Sequence, residues 1–458
     1  MYIIDQESKR ALCIQLYEEM KKDIIDNYSI GQKIPSIRKI SSAYNLSKNT
    51  VETAYSQLVV EGYIDSIPKS GYIVTDTLYR DFQINKSMQM KEEEKEDYLY
   101  EFSIARLSKD SFPLKLWKRL YSKVVDESID FGKYQNGFGE FGLRKQIALY
   151  LTKSRAVNCS ANNVVICSGF ADSMSLVSRL LKNSYDSLAI ESPGYYMARD
   201  VFDSYNYDIK DIPVTSDGID LNKLKNSNSK LVYITPSHQY PTGVVIPVSN
   251  RMKLLEWAKE VDGYIIEDDY DSELNYENRP IPSLQGLDKN GKVIYVGTFS
   301  KSLSPVIRVS YLVLPPLLME KLKTFYDART PRVCVPTQRV LEKFIEGGYW
   351  DRHLRKIRTL NKKKHNLMKK FLKDKLGKTM KIEAMGAGLA IHINPSVPFD
   401  WEKLEELAKK EKIKLYYAKD KTNNKWQALM MGFGGFKEEE IEKAVDAFSK
   451  IWFKSIIN

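Results

Sequence analysis

A lysine and an arginine stand seven residues apart in GTFSKSLSPVIRVSYLVLP (297–315), with small hydroxyl residues around them. Lys301 can offer an amine as nucleophile, and Arg308 a guanidinium matched to phosphate. Asp268 lies 33 residues before the lysine, inside the carboxylate cluster EDDYDSE (267–273). An amine, a carboxylate and a guanidinium with hydroxyls between them suit pyridoxal 5'-phosphate. The lysine would form the Schiff base, the carboxylate would keep the pyridine nitrogen protonated, and the arginine would hold the phosphate. The alternative is a surface loop that happens to carry a lysine and an arginine. The stretch alone does not decide between them.

The elements that must position these groups are legible in the surrounding pattern. Short apolar runs alternate with helical stretches from Tyr98 onward: NVVICSG (163–169), SLAIESPGY (187–195), KLVYITPSH (230–238), GYIIEDDY (263–270), KVIYVGTFS (292–300) and VSYLVLP (309–315). Near-continuous Val/Ile/Leu/Tyr runs spaced by helices predict a mostly parallel sheet covered on both faces. Ligands bind such sheets at the carboxyl ends of the strands, where the named residues fall. Residues 352–450 read as a smaller α+β part, with strands near 389–393 and 428–435 and a last helix at 437–454. Its long basic helix is expected to turn Leu354, Ile357, Leu360, Leu367, Phe371 and Leu376 to one side.

The totals bound the possibilities. A chain of 458 residues with 43% hydrophobic and 28% charged residues is ordinary for a globular protein of several domains. Without a run of ~18 apolar residues no membrane span is expected, and MYIIDQESKR lacks the pattern of a signal peptide. Four scattered cysteines read as reduced thiols, which points to the cytoplasm, and with four dispersed histidines they give no metal-ligand spacing. The net charge of +11 is localised: residues 352–381 hold thirteen Lys/Arg and one acid, whereas residues 1–75 hold nine of each sign. Phosphate contacts to flanking DNA are one reading of the 352–381 run, with neutralisation of Lys362, Lys363 and Lys364 expected to flatten the salt dependence. A solvated helix face is the other.

The N-terminal segment has its own organisation. Leu12, Leu16, Met20 and Ile24 recur at helical spacing, Ser36 can cap a helix reaching Tyr44, and Ser47 can cap a third with Val51, Ala54, Tyr55 and Leu58 on one face. Two extended runs follow (62–67 and 71–76). Helix, helix, turn, helix and a two-stranded wing make a winged helix-turn-helix. No acid occurs from Asn27 to Val51, where Lys33, Arg38, Lys39 and Lys48 lie. Lys48 and Asn49 at the start of the third helix could meet base edges, and the hydroxyls of Ser47 and Thr50 could meet phosphates. A small helical interaction domain with a solvated basic face is the alternative.

IPSIRKIS (34–41), LSKNTVETAY (46–55), LVVEGYI (58–64) and KSGYIV (69–74) closely resemble the DNA-binding domain of GntR-type bacterial regulators. The resemblance assigns a DNA contact to Arg38 and places Ser36, Ser47, Lys48, Asn49, Thr50 and Lys69 at the DNA-binding surface, with Lys48 where the family usually has arginine. TPSHQYPTG (235–243), EDDYDSELNY (267–276), GTFSKSLSPVIRVSYLVLP, the stretch 134–182 and IESPGYYMARD (190–200) resemble fold-type I pyridoxal-phosphate aminotransferases. Both regions in one chain are similar to the MocR/GabR-type subfamily. The implied architecture is multidomain, a winged helix-turn-helix (α+β) followed by an α/β fold-type I aminotransferase-like domain. The expected boundaries are 1–76 for the first domain, 77–98 for a linker and 99–458 for the second. The large part of the second would be about 135–325, and its small part about 99–134 and 326–458.

By the same resemblance Lys301 is the Schiff-base lysine, Asp268 faces the pyridine nitrogen and Tyr270 the ring's 3-oxygen. Arg308, Ser300, Thr298 and the backbone N–H groups of Phe170 and Ala171 hold the phosphate. Tyr195 stacks on the ring, and Tyr134 reaches the phosphate of the other subunit of a homodimer. The sequence departs from the aminotransferase pattern in three places. Tyr240 stands where asparagine precedes PTG, Ala171-Asp172 replaces paired glutamines, and 421–435 lacks the arginine that binds a substrate carboxylate, leaving Lys421 or Lys425 as substitutes. The expected function is therefore a transcriptional regulator that binds promoter DNA and senses an amine or the cofactor itself, rather than an enzyme. The alternatives are an active aminotransferase with a fused DNA-binding domain, or a repressor whose second domain only dimerises.

Overall fold

In the computed structural model the described residues are 2–6, 8, 10–68, 70–76, 97–127, 129–133, 136–276, 281–325, 333–384, 386–419 and 427–457. They divide into two units, Met1–Glu96 and Asp97–Asn458. Most of the expected linker, together with Lys69, Tyr134, Lys421 and Lys425, lies outside the described residues.

The first unit runs α1 (Leu12–Asn27), α2 (Ile37–Tyr44), α3 (Lys48–Val60), β1 (Ile64–Ile67) and β2 (Gly71–Val74). Ser36 Oγ accepts from the Lys39 N–H and Ser47 Oγ from the Thr50 N–H, so both helices start where the serines cap them. Such a cap is worth about 1 kcal/mol. Asn45 takes a left-handed conformation between them, which makes the sharp turn. Leu16, Met20 and Ile24 from α1 bury against Val51, Ala54, Tyr55 and Leu58 from α3, as the helical spacing predicts. The antiparallel β1–β2 ribbon is the wing, and Ile64 and Val74 close the core beneath it.

The second unit begins with β3 (Tyr100–Glu101), α4 (Leu114–Asp126) and α5 (Phe141–Arg155). There follow β4 (Val164–Cys167), α6 (Phe170–Leu181), β5 (Ser187–Ser192), α7 (Tyr196–Ser204), β6 (Asp208–Thr215), β7 (Gly218–Ile219) and α8 (Leu221–Asn226). Next come β8 (Leu231–Ile234), α9 (Val248–Glu260), β9 (Tyr264–Asp269), α10 (Leu284–Leu287), β10 (Val293–Thr298), β11 (Ser310–Val313), α11 (Pro316–Phe325), α12 (Val335–Glu346) and α13 (Tyr349–Leu376). The chain closes with β12 (Met380–Ala384), β13 (Ala390–Pro395), α14 (Trp401–Lys410), β14 (Ile413–Lys414), β15 (Tyr417–Lys419), β16 (Gln427–Gly432) and α15 (Glu438–Lys454).

The main sheet has eight strands in the order β4-β11-β10-β9-β8-β5-β6-β7. From β10 to β6 neighbours are parallel, while β11 runs against both β10 and β4. Separate apolar clusters cover the sheet, one containing α6 and α7 residues and another containing α9 residues. Burial on both faces is why the strands read as continuous apolar runs. A second, antiparallel sheet of β12, β13, β16 and β15 packs with α13 and α15. The pairing of β3 with β14 joins residues 100–101 to this smaller part.

The buried face of α13 differs from the sequence expectation. Leu354, Ile357 and Leu376 are buried, but Met368 and Leu372 take the places expected of Leu367 and Phe371, which are only half-buried, as is Leu360. Lys364 is also inside, its ammonium donating to the Gly434 carbonyl oxygen at 3.0 Å. The helical period holds over 28 residues. The choice of stripe depends on neighbours the period does not contain.

Candidate functional site

The predicted cofactor residues collect along one edge of the main sheet. β4, β5, β8, β9 and β10 end there, and reversed β11 begins there, so Thr298 pairs with Ser310 and Gly297 with Asp269. A parallel sheet presents its loop-borne groups along this edge.

Strand alternation sorts three consecutive carboxylates. Glu267 accepts from the Leu284 and Gln285 backbone N–H groups, and Asp269 accepts from the Arg155 Nε at 2.7 Å and the Tyr295 hydroxyl at 2.6 Å. Asp268 between them accepts from the Tyr233 hydroxyl at 2.6 Å, across on β8. It is buried and forms no ion pair among the described residues. Burial pushes its carboxyl up to about 7, against the pull of the Tyr233 hydrogen bond. A buried carboxylate left without a cation is the group that a protonated ring nitrogen would satisfy.

Lys301 follows β10, and its Nζ donates to the Ile104 carbonyl oxygen at 3.1 Å. Burial lowers its pKa, opposed by Asp271 and Asp268, so the neutral, nucleophilic amine is more accessible than in a surface lysine. Arg308 takes a left-handed conformation just before β11. Its guanidinium lies so close to Gly169 that a Cβ on that glycine would collide with it. Gly169, at φ +83°, precedes α6, so the guanidinium and the first N–H groups of the helix, at Phe170 and Ala171, share one small space. That is an anion cradle. Asp172 does not spoil it, because its carboxylate turns back to accept from the Ser168 N–H at 2.8 Å. Thr298 and Ser300 sit beside each other, their hydroxyls 3.0 Å apart.

The expected aromatic residues form one wall. Tyr195 meets Phe170 edge-on at 5.0 Å between ring centroids and Tyr240 at 5.5 Å, and Tyr240 meets Tyr270 at 6.5 Å. The Tyr240 hydroxyl lies 3.6 Å from the Met430 sulfur, in the strand of the segment that lacks arginine. Tyr270 is engaged by a neighbour that sequence reasoning missed. Its hydroxyl lies 3.1 Å from both the carbonyl oxygen and the Nδ1 of His238, and His238 Nδ1 is 2.8 Å from Asp271 Oδ2. Burial draws the His238 pKa down, but the Asp271 carboxylate outweighs it, and the net shift is upward. Glu191 was missed as well. It accepts from the Thr235 N–H and hydroxyl and from Gln239, and so ties β5 to the TPSHQYPTG loop. The signal for both was their place inside quoted motifs, where they read as strand and loop filler.

Buried acids give this edge a pH signature. Glu191, Glu267, Asp268 and Glu273 are each pushed up to about 7, with burial the largest cause. Raised native pKa values mean that the folded chain binds these protons more tightly than the unfolded chain. Stability is then full below the unfolded values near 4 and is lost as pH rises through about 7. His238 adds in the same direction. The protein should melt higher at about pH 5.5 than at about pH 8. Calorimetry at the two pH values checks this, and a midpoint that rises with pH contradicts it.

In the first unit Arg38 is exposed on α2 and forms no ion pair among the described residues. Lys48, in contrast, pairs with Glu52 one turn on at 3.1 Å. The Ser36 and Ser47 hydroxyls are used as helix caps, and Thr50 Oγ1 bonds Ser47 Oγ at 2.8 Å. Asn49 stays exposed at the start of α3. Of the expected DNA contacts, Arg38 and Asn49 therefore have the freest side chains.

Comparison with known proteins agrees with this division. Residues 13–74 match the model of bacterial regulatory proteins of the gntR family, and residues 107–420 match that of aminotransferase class I and II. The chain is 34% identical to the HTH-type transcriptional regulator YdeL of Bacillus subtilis (strain 168), over 97% of this chain and 98% of that protein. It is 30% identical to the rhizopine catabolism regulatory protein MocR of Rhizobium meliloti, over 85% and 83%. Among solved structures, a multiple substrate aminotransferase from Thermococcus profundus superposes with a TM-score of 0.69 at 25% identity, covering 82% of this chain and 99% of that one. The chain belongs to the HTH-type transcriptional regulators in which a gntR-family DNA-binding domain is fused to an aminotransferase class I and II domain.

Proposed function

We propose that this regulator holds pyridoxal 5'-phosphate in its second unit and reads an amino compound, or the cofactor itself, into its affinity for promoter DNA. The observation that carries this is the buried carboxylate of Asp268, which forms no ion pair among the described residues, on the same sheet edge as Lys301 and the Arg308–Gly169 cradle. When bound, the cofactor supplies an aldehyde carbon that an amine can attack. Lys301 supplies the resident amine. Asp268, oriented by Tyr233, holds a proton at the ring nitrogen. Arg308, Thr298, Ser300 and the N–H groups of Phe170 and Ala171 take the phosphate. Tyr195, Tyr240 and Tyr270 wall the ring and exclude water. Tyr134 is assigned, from the family resemblance, to the phosphate of a homodimer partner.

In this reading residues 1–76 bind DNA, 77–98 link, and 99–458 form the sensor, and the protein acts in the cytoplasm. No helix among the described residues is long and apolar enough to cross a membrane. Coupling is the difference in ligand affinity between two arrangements of the chain. Active transamination is the second reading, favoured by the Lys301, Asp268 and Arg308 set. Weighing against it, 421–435 has no arginine, and Met430 stands against Tyr240.

Adding pyridoxal 5'-phosphate to the full chain should raise a visible absorbance band, and a panel of amines should change both that band and retention of promoter DNA. A colourless protein whose DNA binding ignores cofactor and amines would falsify the proposal. Sustained keto-acid production from an amino donor would favour the enzyme reading.

A further inference from the structure

The charge excess of the whole chain sits in 352–381, and α13 arranges it on one side. At 100° per residue, Arg352, Arg355, Lys362, Lys370 and Lys373 fall within about a quarter of the helix circumference, spread over about 32 Å of its axis. All five are exposed, and Lys356 borders them. Two other lysines of the run are neutralised on the flank facing α15. Lys363 pairs with Glu438, and Lys375 pairs with Asp446 at 2.9 Å. With Lys364 buried, only Lys362 remains a free cation among the three lysines that the sequence marks for neutralisation. Arg355, Lys356, Lys362, Lys370 and Lys373 form no ion pair among the described residues, and Asp374 is the lone acid in the run.

We propose that this stripe of α13 binds the phosphate backbone of duplex DNA, as a second, sequence-independent contact beside the gntR-type domain. A row of unpaired cations on a rigid helix costs self-repulsion that a solvated face does not require, and bound phosphates relieve it. The length of the row is close to one turn of B-DNA, about 34 Å. The duplex presents one charge per about 1.7 Å, so several cations on one straight face can be matched together. The two short polar side chains on this face are engaged within the helix, Thr359 donating to the Arg355 carbonyl oxygen at 3.0 Å and Asn366 lying against the His365 ring at 3.2 Å, so the groups the stripe offers outward are its cations. The partner chemistry is therefore a polyanionic backbone, and the contact adds affinity and salt dependence rather than specificity.

This inference rests on the DNA-binding reading of the protein, and the test separates the two. Binding of the full chain to a random-sequence duplex of about 40 base pairs is measured by anisotropy over a salt series, for wild type and for K362Q/K370Q/K373Q. Each phosphate contact contributes about 0.9 to the slope of log affinity against log salt, so the triple variant should be shallower by about 2 to 3. Unchanged circular dichroism and an unchanged visible cofactor band show that its fold is intact. An unchanged slope and affinity in the triple variant overturns the inference and leaves α13 a solvated face. If wild type fails to bind any duplex at low salt, the DNA-binding reading itself fails. If the triple variant keeps its duplex binding but loses binding to vesicles of anionic lipid, the stripe serves a membrane surface and the proposal is wrong.

Discussion

Lys301→Ala is expected to leave a folded protein that no longer gains a visible band with pyridoxal 5'-phosphate and no longer responds to amines. The effect should be complete because the band requires a covalent bond to an amine, and Lys301 is the amine placed beside Asp268 and Asp271. Residual, colourless binding should survive through the cradle of Arg308 and the first N–H groups of α6, at an affinity reduced about tenfold or more, which is 1.4 kcal/mol per decade. Folding should tolerate the change. The ammonium is half-buried with a lowered pKa, and only one carbonyl, that of Ile104, loses its donor. DNA retention without effector should stay within a factor of about two, or less than 0.5 kcal/mol. Absorbance titration and a DNA-retention assay on the same preparation check both halves. Persistence of the band in the variant would place the reactive amine elsewhere and remove Lys301 from the site.

What the sequence disclosed about this site followed from how local each signal was. Lys301 and Asp268 lie in a loop and at a strand end flanked by unmistakable apolar runs, so their common edge of the sheet could be read from strand direction alone. The reversed strand β11 could not, because an apolar run carries no sense of direction, and that reversal is what brings Arg308 to the same edge as Lys301. The three acids 267–269 look alike in sequence, and alternation along β9 turns Asp268 to one side and Glu267 and Asp269 to the other. Arg155 and Tyr295 claim Asp269, backbone N–H groups claim Glu267, and Asp268 is left with the Tyr233 hydroxyl. Tyr233 was hidden for the same reason, since a tyrosine in an apolar strand reads as packing until the neighbouring strand is placed. His238 was passed over because four scattered histidines argued only against a metal. Its partner Asp271 is 33 residues away in sequence and 2.8 Å away in space. In the DNA-binding unit the caps at Ser36 and Ser47 were legible one residue at a time. The pairing of Lys48 with Glu52 was equally local, yet it sets Lys48 apart from Arg38, which forms no ion pair among the described residues.

Arg38 carries the second large prediction. Arg38→Ala should weaken retention of promoter DNA by about 1–3 kcal/mol, roughly five- to 150-fold, while the visible cofactor band and its response to amines stay as in wild type. Arg38 occupies the second residue of α2, exposed, behind the Ser36 cap, in a stretch from Asn27 to Val51 that holds no acid. A guanidinium there keeps all five donors available, and its planar fork fits phosphate or guanine in a way no neighbouring lysine can. Lys48→Ala should cost less, because part of the lysine charge is already spent on Glu52, and an exposed i,i+4 pair is worth about 0.3–0.5 kcal/mol. The order Arg38 over Lys48 separates a docking mode led by α2 and the start of α3 from a merely basic surface, on which the two substitutions would cost the same. Arg38→Lys sharpens the comparison: it keeps the charge, so a phosphate contact would largely survive, whereas a bidentate contact to a base would be lost almost as fully as in Arg38→Ala. Competition assays with matched and scrambled duplexes tell these apart. Equal, small losses for all three variants would mean that the first unit meets DNA through another face.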